Sequence, residues 1–505
     1  MKFIMNIVRN VLSFICSANN FRLFVFTGLL FRALPHLSYT FKFFHCFYDF
    51  FPYVVILWSL CVIVYDFFNG KSIWNQPFTD IKCLFILSYI ITCVVNYKYN
   101  FYANMNFTFR LSMQLLLISY FSRDNSERNR KNIKILSMIY IGFTFFASIT
   151  SIVMFFCKYG TTIRGLDNHP VRTGFIWDRL FGIYQDPNYG ALFAVLSIIV
   201  SVYFITATRL KTFKIFLILN IVTQYYYIIM SYSRSGSLCL ALSVILMSFW
   251  FIYKLAKIKK YGTVLSVFCS LVLALVTILP FGYIQNMSLQ IAGYNSSTPS
   301  QYTKAENVAF DKGTRICNMS YSKDSSYKIK DTSSTNKNSV RKNSNDISNQ
   351  RFDSWKDQLR IFMDKPVFGV SVLGYYNYAK EHYPNSFIIK NYKFNCENDL
   401  LRLLVYSGLS GTVIMFVFLF KAANKVYKYL RNNVMKKSDI TTLYFMIIVL
   451  CVLAFDSIFL NTVMMNLSVW SIIFWTLIGY LLSLCQKSTR DTIAYRVLNK
   501  LRGEL

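Results

Sequence analysis

The chain has 505 residues, 54% hydrophobic and 18% aromatic, with 54 Lys and Arg against 23 Asp and Glu for a formal net charge of +31. A mean hydropathy of +0.38 and apolar blocks of bilayer length exclude a soluble globular enzyme, since a spanning helix needs roughly 20 apolar residues. The basic excess does not point to nucleic acid, because Lys and Arg sit between the apolar blocks, where the positive-inside rule puts them. The 12 cysteines are scattered without CxxC pairs or metal-ligand spacing and read as small buried hydrophobes.

Lys2 and Arg9 before "VLSFIC" faintly resemble a signal peptide. Asn19, Asn20 and Arg22 break the apolar run and no small-x-small cleavage site follows, so the segment is expected to stay attached. About twelve spanning helices are predicted, near 21–37, 50–68, 81–97, 105–121, 133–157, 187–207, 212–230, 236–256, 262–284, 400–423, 440–460 and 466–485. The first is weak, since Arg22 and Arg32 leave only a short uncharged centre. Connections such as "SRDNSERNRKNIK", "TRLKTFK" and "YKLAKIKK" are basic, whereas "FLNTVMMN" and "NYKYNFYANMNF" are nearly uncharged. Both termini are therefore expected inside.

That reading divides the chain into an N-terminal group of five helices (1–157), an external segment (158–186), helices six to nine (187–284), a large external loop (285–399), helices ten to twelve (400–485) and a basic cytoplasmic tail (486–505). Within the large loop, about 295–350 is rich in Ser, Asn and Lys and cannot bury a core, so disorder is expected. From about 351 to 365, Phe352, Trp355, Leu359 and Phe362 recur at helical spacing. An amphipathic helix on the membrane surface, ended by Pro366, is expected there.

Asp186-Pro187-Asn188 reads as a helix start, with Asp186 as cap and Pro187 in the first turn. Its unpaired N–H groups, with Arg179 upstream, form an anion site unless Asp186 merely caps and Arg179 faces lipid headgroups. Arg234 sits at an outward turn at near-membrane depth, where an ionisable group is a functional candidate or snorkels to phosphate. Arg351 and Arg402 fall on the same face, and four arginines there suggest a diphosphate site. Asp456, toward the outer end of the eleventh helix, either serves that site or hydrogen-bonds a neighbouring helix. His169 and His382 are weaker candidates in the outer segments. No acidic metal pair or Walker loop is present, so neither metal nor nucleotide sugar is required.

The series "RLFGIYQDPNYGA", "SYSRSG", a long outer loop with "R...W" and "KPVFGV", then "ENDLLRLLVYSGLSG" resembles the O-antigen polymerase and O-antigen ligase superfamily of bacterial envelope enzymes, over roughly residues 170 to 425. Where ligases usually show His-Asn, this chain has Glu397-Asn398, which is more similar to capsule and exopolysaccharide polymerases. The resemblance implies an all-α, GT-C-like polytopic protein of the bacterial cytoplasmic membrane that works without cofactor or metal. Its implied reaction joins undecaprenyl diphosphate-linked oligosaccharide repeat units at the outer face. The donor diphosphate would lie against Arg179, Arg234, Arg351 and Arg402. Glu397 would be the general base and Asp186, Asn188, Trp355, Asn398 and Asp456 would support the site. Membrane lipids, a flippase and a chain-length regulator are the implied partners, and nucleic acid is not one. A ligase moving finished glycan to another acceptor is the main alternative. A polysaccharide flippase is the second, disfavoured by the asymmetric halves and the large outer loop.

Overall fold

The computed structural model describes residues 12–34, 42–68, 76–121, 126–164, 170–184, 186–256, 262–294, 351–391, 395–432 and 437–501. His169 and the segment 295–350 lie outside the described residues. The protein is an all-α polytopic membrane protein, and each of the twelve predicted spans coincides with a helix. These helices are α1 Ala18–Arg32, α2 Lys42–Phe68, α3 Thr79–Val95, α4 Phe101–Met113, α5 Ser126–Phe156, α6 Pro187–Ala207, α7 Lys211–Ser231, α8 Arg234–Ala256, α9 Gly262–Ile278, α14 Asp399–Asn432, α15 Lys437–Asp456 and α16 Val469–Leu501. Between α9 and α14 lie α10 Phe281–Ile291, α11 Arg351–Asp364, α12 Tyr375–His382 and α13 Phe387–Lys390. Among the described residues, eight segments are long and apolar enough to span a bilayer, and the shorter Ile440–Asp456 is apolar as well. Helices α1, α3 and α4 are too short to cross the hydrocarbon core alone at 1.5 Å per residue.

Three departures from the sequence reading have physical causes. Pro280 ends α9 and starts α10, because it cannot supply an interior helical N–H. Helix α16 continues to Leu501 through the stretch expected as a separate tail. Residues 158–186, expected as a loop, contain an antiparallel sheet, with β1 Gly160–Arg164, β2 Pro170–Ile176 and β3 Arg179–Gly182 in the order β1-β2-β3. Thr161 pairs with Thr173 and Ile163 with Val171, β-branched residues that suit a pleated ladder. The β2–β3 connection is the two-residue turn Trp177-Asp178, with φ of 53° and 58°. Such a turn needs two left-handed residues and is usually written Asn-Gly, so the sequence carries no hairpin signal.

Helix α6 runs through the centre. Leu192, Phe193, Ala194, Val195 and Leu196 are consecutive and all buried, as a helix apolar all round must be. Water is absent from a bilayer core, so polar side chains there pair across helices. Thr144 on α5 meets Ser197 on α6 at 2.7 Å, Asn220 on α7 donates to Ser197 and Ser201 at 2.9 and 2.8 Å, and Ser148 donates to Gln224 at 2.7 Å.

Arg22, which weakened the first predicted span, is fully buried. Its Nε donates to the Ile118 carbonyl at 2.9 Å, Nη1 to Asn19 and Asn132 at 2.8 and 3.1 Å, and Nη2 to the Tyr120 carbonyl. The guanidinium lies 3.8 Å from the Phe121 ring centroid. It thus satisfies carbonyls at the end of α4, where the helix widens into a π turn over Gln114–Ile118, a turn that leaves backbone acceptors open. Arg22→Met removes these donors and is expected to destabilise the protein by about 3 kcal/mol. Thermal melting of the purified variant in detergent, with a wild-type midpoint as the contrary result, checks this.

Candidate functional site

The chemistry-bearing residues gather at one end of the bundle, where α6, α8, α11 and α14 begin and α15 ends. The strained Trp177-Asp178 turn delivers Arg179 at the start of β3, and β3 packs on α5, α6 and α7. A left-handed conformation at a residue with a side chain costs roughly 1–2 kcal/mol, which the surrounding packing must offset. Arg172 on β2 lies with its guanidinium 4.5 Å from the Trp177 ring centroid. Burial lowers the pKa of Arg172, and the Asp186 charge opposes that shift.

Asn188 is the hub of the first half of the site. Its Oδ1 accepts Arg179 Nη2 at 2.8 Å and Ser233 Oγ at 2.9 Å, while Arg179 Nε donates to the Ser231 carbonyl at 3.0 Å. Asp186 Oδ1 accepts the Asn188 amide at 2.7 Å and caps α6, with Pro187 in the first turn. Ser233 Oγ in turn accepts the Gly236 amide at 3.0 Å, capping α8, whose first residue is the exposed Arg234. Two helix N-termini, each with partial positive charge, therefore converge on Arg179.

The second half is built on the start of α14. Asn398 Oδ1 accepts the amides of Leu400 and Leu401 at 2.9 and 3.1 Å, and its Nδ2 donates to the Ile458 carbonyl at 2.9 Å. Asp399 Oδ2 accepts the amides of Val463 and Met464 at 2.7 and 3.1 Å. Helix α14 begins at Asp399, one residue before the predicted start of the tenth span. Glu397 precedes the capping Asn398, and Asp399 is the carboxylate whose charge Arg402 attracts. Arg402 is 3% exposed, and its Nε and Nη1 find no acceptor among the described residues. Asp456, the last residue of α15 and 1% exposed, accepts from Cys239 Sγ on α8 at 3.7 Å. Asp399 and Arg351 both act electrostatically on it, and the Arg351 guanidinium lies 6.0 Å from the Phe459 ring centroid.

The halves are joined. Tyr189, next to the hub, donates to Asn461 Oδ1 at 2.8 Å, and the Cys239–Asp456 contact ties α8 to α15. The segment 457–468 between α15 and α16 is irregular yet largely buried, so its backbone groups need internal partners.

Arg179, Asp186, Asn188 and Arg234 thus share one cluster, while Asn398, Arg402, Asp456 and Arg351 fall in or beside the other. Trp355 stacks edge-on with Phe352 at 5.6 Å on α11. His382 belongs elsewhere: it packs 4.3 Å from the Tyr378 ring and 3.3 Å from Tyr99 Oη, in a cluster where the Lys98 ammonium and Tyr99 hydroxyl hold Glu381 below the usual carboxylate range. The sequence reading passed over Arg172, Ser233 and Asp399. Only Asp399 carried a local signal, as an acid in a first helical turn after a capping Asn. Among the described residues no group of three or more His, Cys, Asp or Glu is placed to hold a metal ion.

The two motifs that flank this site fit each other. Helix α14 breaks at Gly408 (φ 65°), where Leu409 and Ser410 amides donate to the Pro366 and Val367 carbonyls at 2.7 and 3.1 Å, and Val370 donates back to Val405 at 2.8 Å. A Cβ at Gly408 would strike the Val367 carbonyl, and one at Gly369 (φ 67°) would strike Val405. "KPVFGV" is thus docked into the break in "YSGLSG".

A model of the family described as O-antigen ligase matches residues 219–416, less than half of the chain. The match takes in Arg234, Arg351, Trp355, Glu397, Asn398 and Arg402 and begins after Arg179, Asp186 and Asn188. No curated protein matches the chain.

Asp399→Ala leaves the Val463 and Met464 amides without their acceptor. Hydrogen exchange across residues 460–468 is expected to accelerate about tenfold or more, with the rest of the bundle unchanged. Wild-type protection of that segment is the contrary result.

Proposed function

With the matched region supporting the O-antigen polymerase and ligase superfamily, we propose that the chain is a metal-independent glycosyltransferase. In this reading it joins undecaprenyl diphosphate-linked repeat units of a surface polysaccharide at the outer face of the bacterial cytoplasmic membrane. The observation that carries the proposal is the buried Arg402, with two guanidinium nitrogens open, at the bundle end that also holds Arg179, Arg234 and Arg351. A buried cation with open donors is matched to an anion.

In the proposed reaction the acceptor hydroxyl oxygen attacks sugar C1 of the donor and the bond from C1 to the diphosphate oxygen breaks. Lipid diphosphate leaves, and the hydroxyl proton passes to Glu397. Negative charge grows on the leaving phosphate as that bond breaks, so fixed guanidinium groups and helix N-termini stabilise the transition state more than the ground state. Arg179 is held by Asn188 and the Ser231 carbonyl, which fixes its fork before substrate arrives. Glu397 stands outside the helical hydrogen-bond ladder and is half-buried, within reach of both protein and acceptor. Asp399 and Asp456 are positioning residues in this scheme. Both termini lie inside the cell, and a flippase and a chain-length regulator act in the same process.

The ligase reading has its own support, because the matched family is described as O-antigen ligase. Glu397-Asn398 in place of His-Asn favours polymerisation. The glycan of a deletion strain separates the two. Single repeats without long chains support the polymerase, and unattached long chains support the ligase.

Arg234→Lys is expected to abolish most activity despite the retained charge, since an ammonium cannot grip phosphate oxygens bidentately. Glu397→Gln is expected to lower turnover by about a hundredfold to ten-thousandfold with donor binding retained, and Glu397→Asp to keep part of it. Polymerisation of lipid-linked repeats by the purified variants checks both. Unchanged turnover in Glu397→Gln removes it as the base.

A further inference from the structure

At the opposite end of the bundle, away from the arginines, a cavity of about 650 Å³ opens between α5, α6, α15 and α16. Its position follows from α6, which starts at the arginine site and lines the cavity from Leu196 to Ala207. Ala207 lies about 28 Å along the helix from Asn188 at 1.5 Å per residue. The size falls within the range of small-molecule sites.

The lining is graded along the bundle. Ile199 and Val200 of α6, Met446 and Val449 of α15 and Ile472 and Ile473 of α16 make the deep part apolar. The end nearest the start of α5 is polar and cationic. Arg130 and Lys134, one helical turn apart and exposed, line it with Ser137, Thr208 and Thr442, and Thr442 Oγ1 lies 3.1 Å from Tyr203 Oη. Two cations at the rim of an apolar slot that is deepest toward mid-bundle have the polarity of a single lipid molecule, with phosphate at the rim and an acyl chain inside. A neutral apolar ligand would make no use of the two cations at the rim. A soluble anion would leave the apolar depth wetted, which burial of hydrocarbon relieves.

We propose that this cavity holds one anionic glycerophospholipid, with its phosphate between Arg130 and Lys134 and an acyl chain along α6. The site is separate from the arginine cluster and does not rest on the reaction assigned to that cluster. Charge complementarity selects the occupant, because each cation near a membrane surface favours anionic over zwitterionic headgroups.

The full chain, purified in detergent and titrated with phosphatidylglycerol or phosphatidylcholine, is read by native mass spectrometry and by thermal melting. The wild type is expected to retain and be stabilised by phosphatidylglycerol over phosphatidylcholine. Arg130→Gln with Lys134→Gln, both surface changes, is expected to weaken phosphatidylglycerol retention about thirtyfold and leave phosphatidylcholine unchanged. Val200→Trp fills the depth and is expected to lose both, with melting of the lipid-free variant confirming that it folds. Equal retention of the two lipids by the wild type overturns the proposal, as does undiminished phosphatidylglycerol retention in the double variant. Preferential retention of a polyprenyl phosphate over phosphatidylglycerol assigns the cavity to an isoprenoid chain and overturns it as well.

Discussion

The acceptance of two amides by one carboxylate oxygen, Val463 and Met464 on Asp399 Oδ2, is the contact on which the candidate site depends. An irregular segment buried among helices carries N–H groups that neither water nor a ladder satisfies, and each unpaired one costs free energy. Asp399 resolves two at once. By doing so it fixes residues 457–468 against the start of α14, which brings Asn461 to Tyr189 and the end of α15 to Cys239. The same carboxylate offsets the charge of Arg402, so a guanidinium can stay buried with donors to spare.

A second constraint sets the orientation of the elements between α10 and α14. The α14 break at Gly408 removes one turn of intrahelical bonding, and the "KPVFGV" backbone takes over the freed groups. Thr92 of α3 and Asn96, which caps its C-terminus, close the other side by donating to the carbonyls of Phe368 and Gly369 at 2.7 and 2.9 Å. Helix α11 is held with Ser354, Asp357, Gln358 and Ile361 buried, while Phe352, Leu359 and Met363 are exposed beside Asp353, Lys356 and Arg360. Asp357 is satisfied in its buried position, where its carboxylate accepts the Phe387 amide at 2.7 Å.

The buried cations divide by whether protein satisfies them. Arg22 has four acceptors and a ring, and Lys82 donates to Ser119 at 2.7 Å and Gln76 at 3.3 Å; both complete the fold around the π turn. Arg402 is left with two open guanidinium nitrogens, and Arg110 with one. In sequence these are single cations among apolar residues, and only their partners, with the place of Arg402 at the bundle end that holds Arg179, Arg234 and Arg351, separate a structural role from a candidate site.

Hydropathy and charge alone located the twelve helices, eight of them in segments that are, among the described residues, long and apolar enough to span, because bilayer thickness demands long apolar runs. The helix start at Asp186-Pro187 was legible too, since capping is a local interaction. The sheet before it was not: the Trp177-Asp178 turn is held by packing on α5, α6 and α7, and nothing in those two side chains favours a left-handed backbone. The same holds for the pairing of Arg179 with Asn188, of Asp399 with the 457–468 amides and of Gly408 with Val367. Each is a hydrogen bond or close approach between segments distant in sequence, so no periodicity or composition encodes the partner. The sequence by itself determined the membrane architecture and the residue types available at one bundle end. Only the tertiary structure decided that Asp399 caps the buried loop, because that assignment depends on which backbone amides lie across the interface.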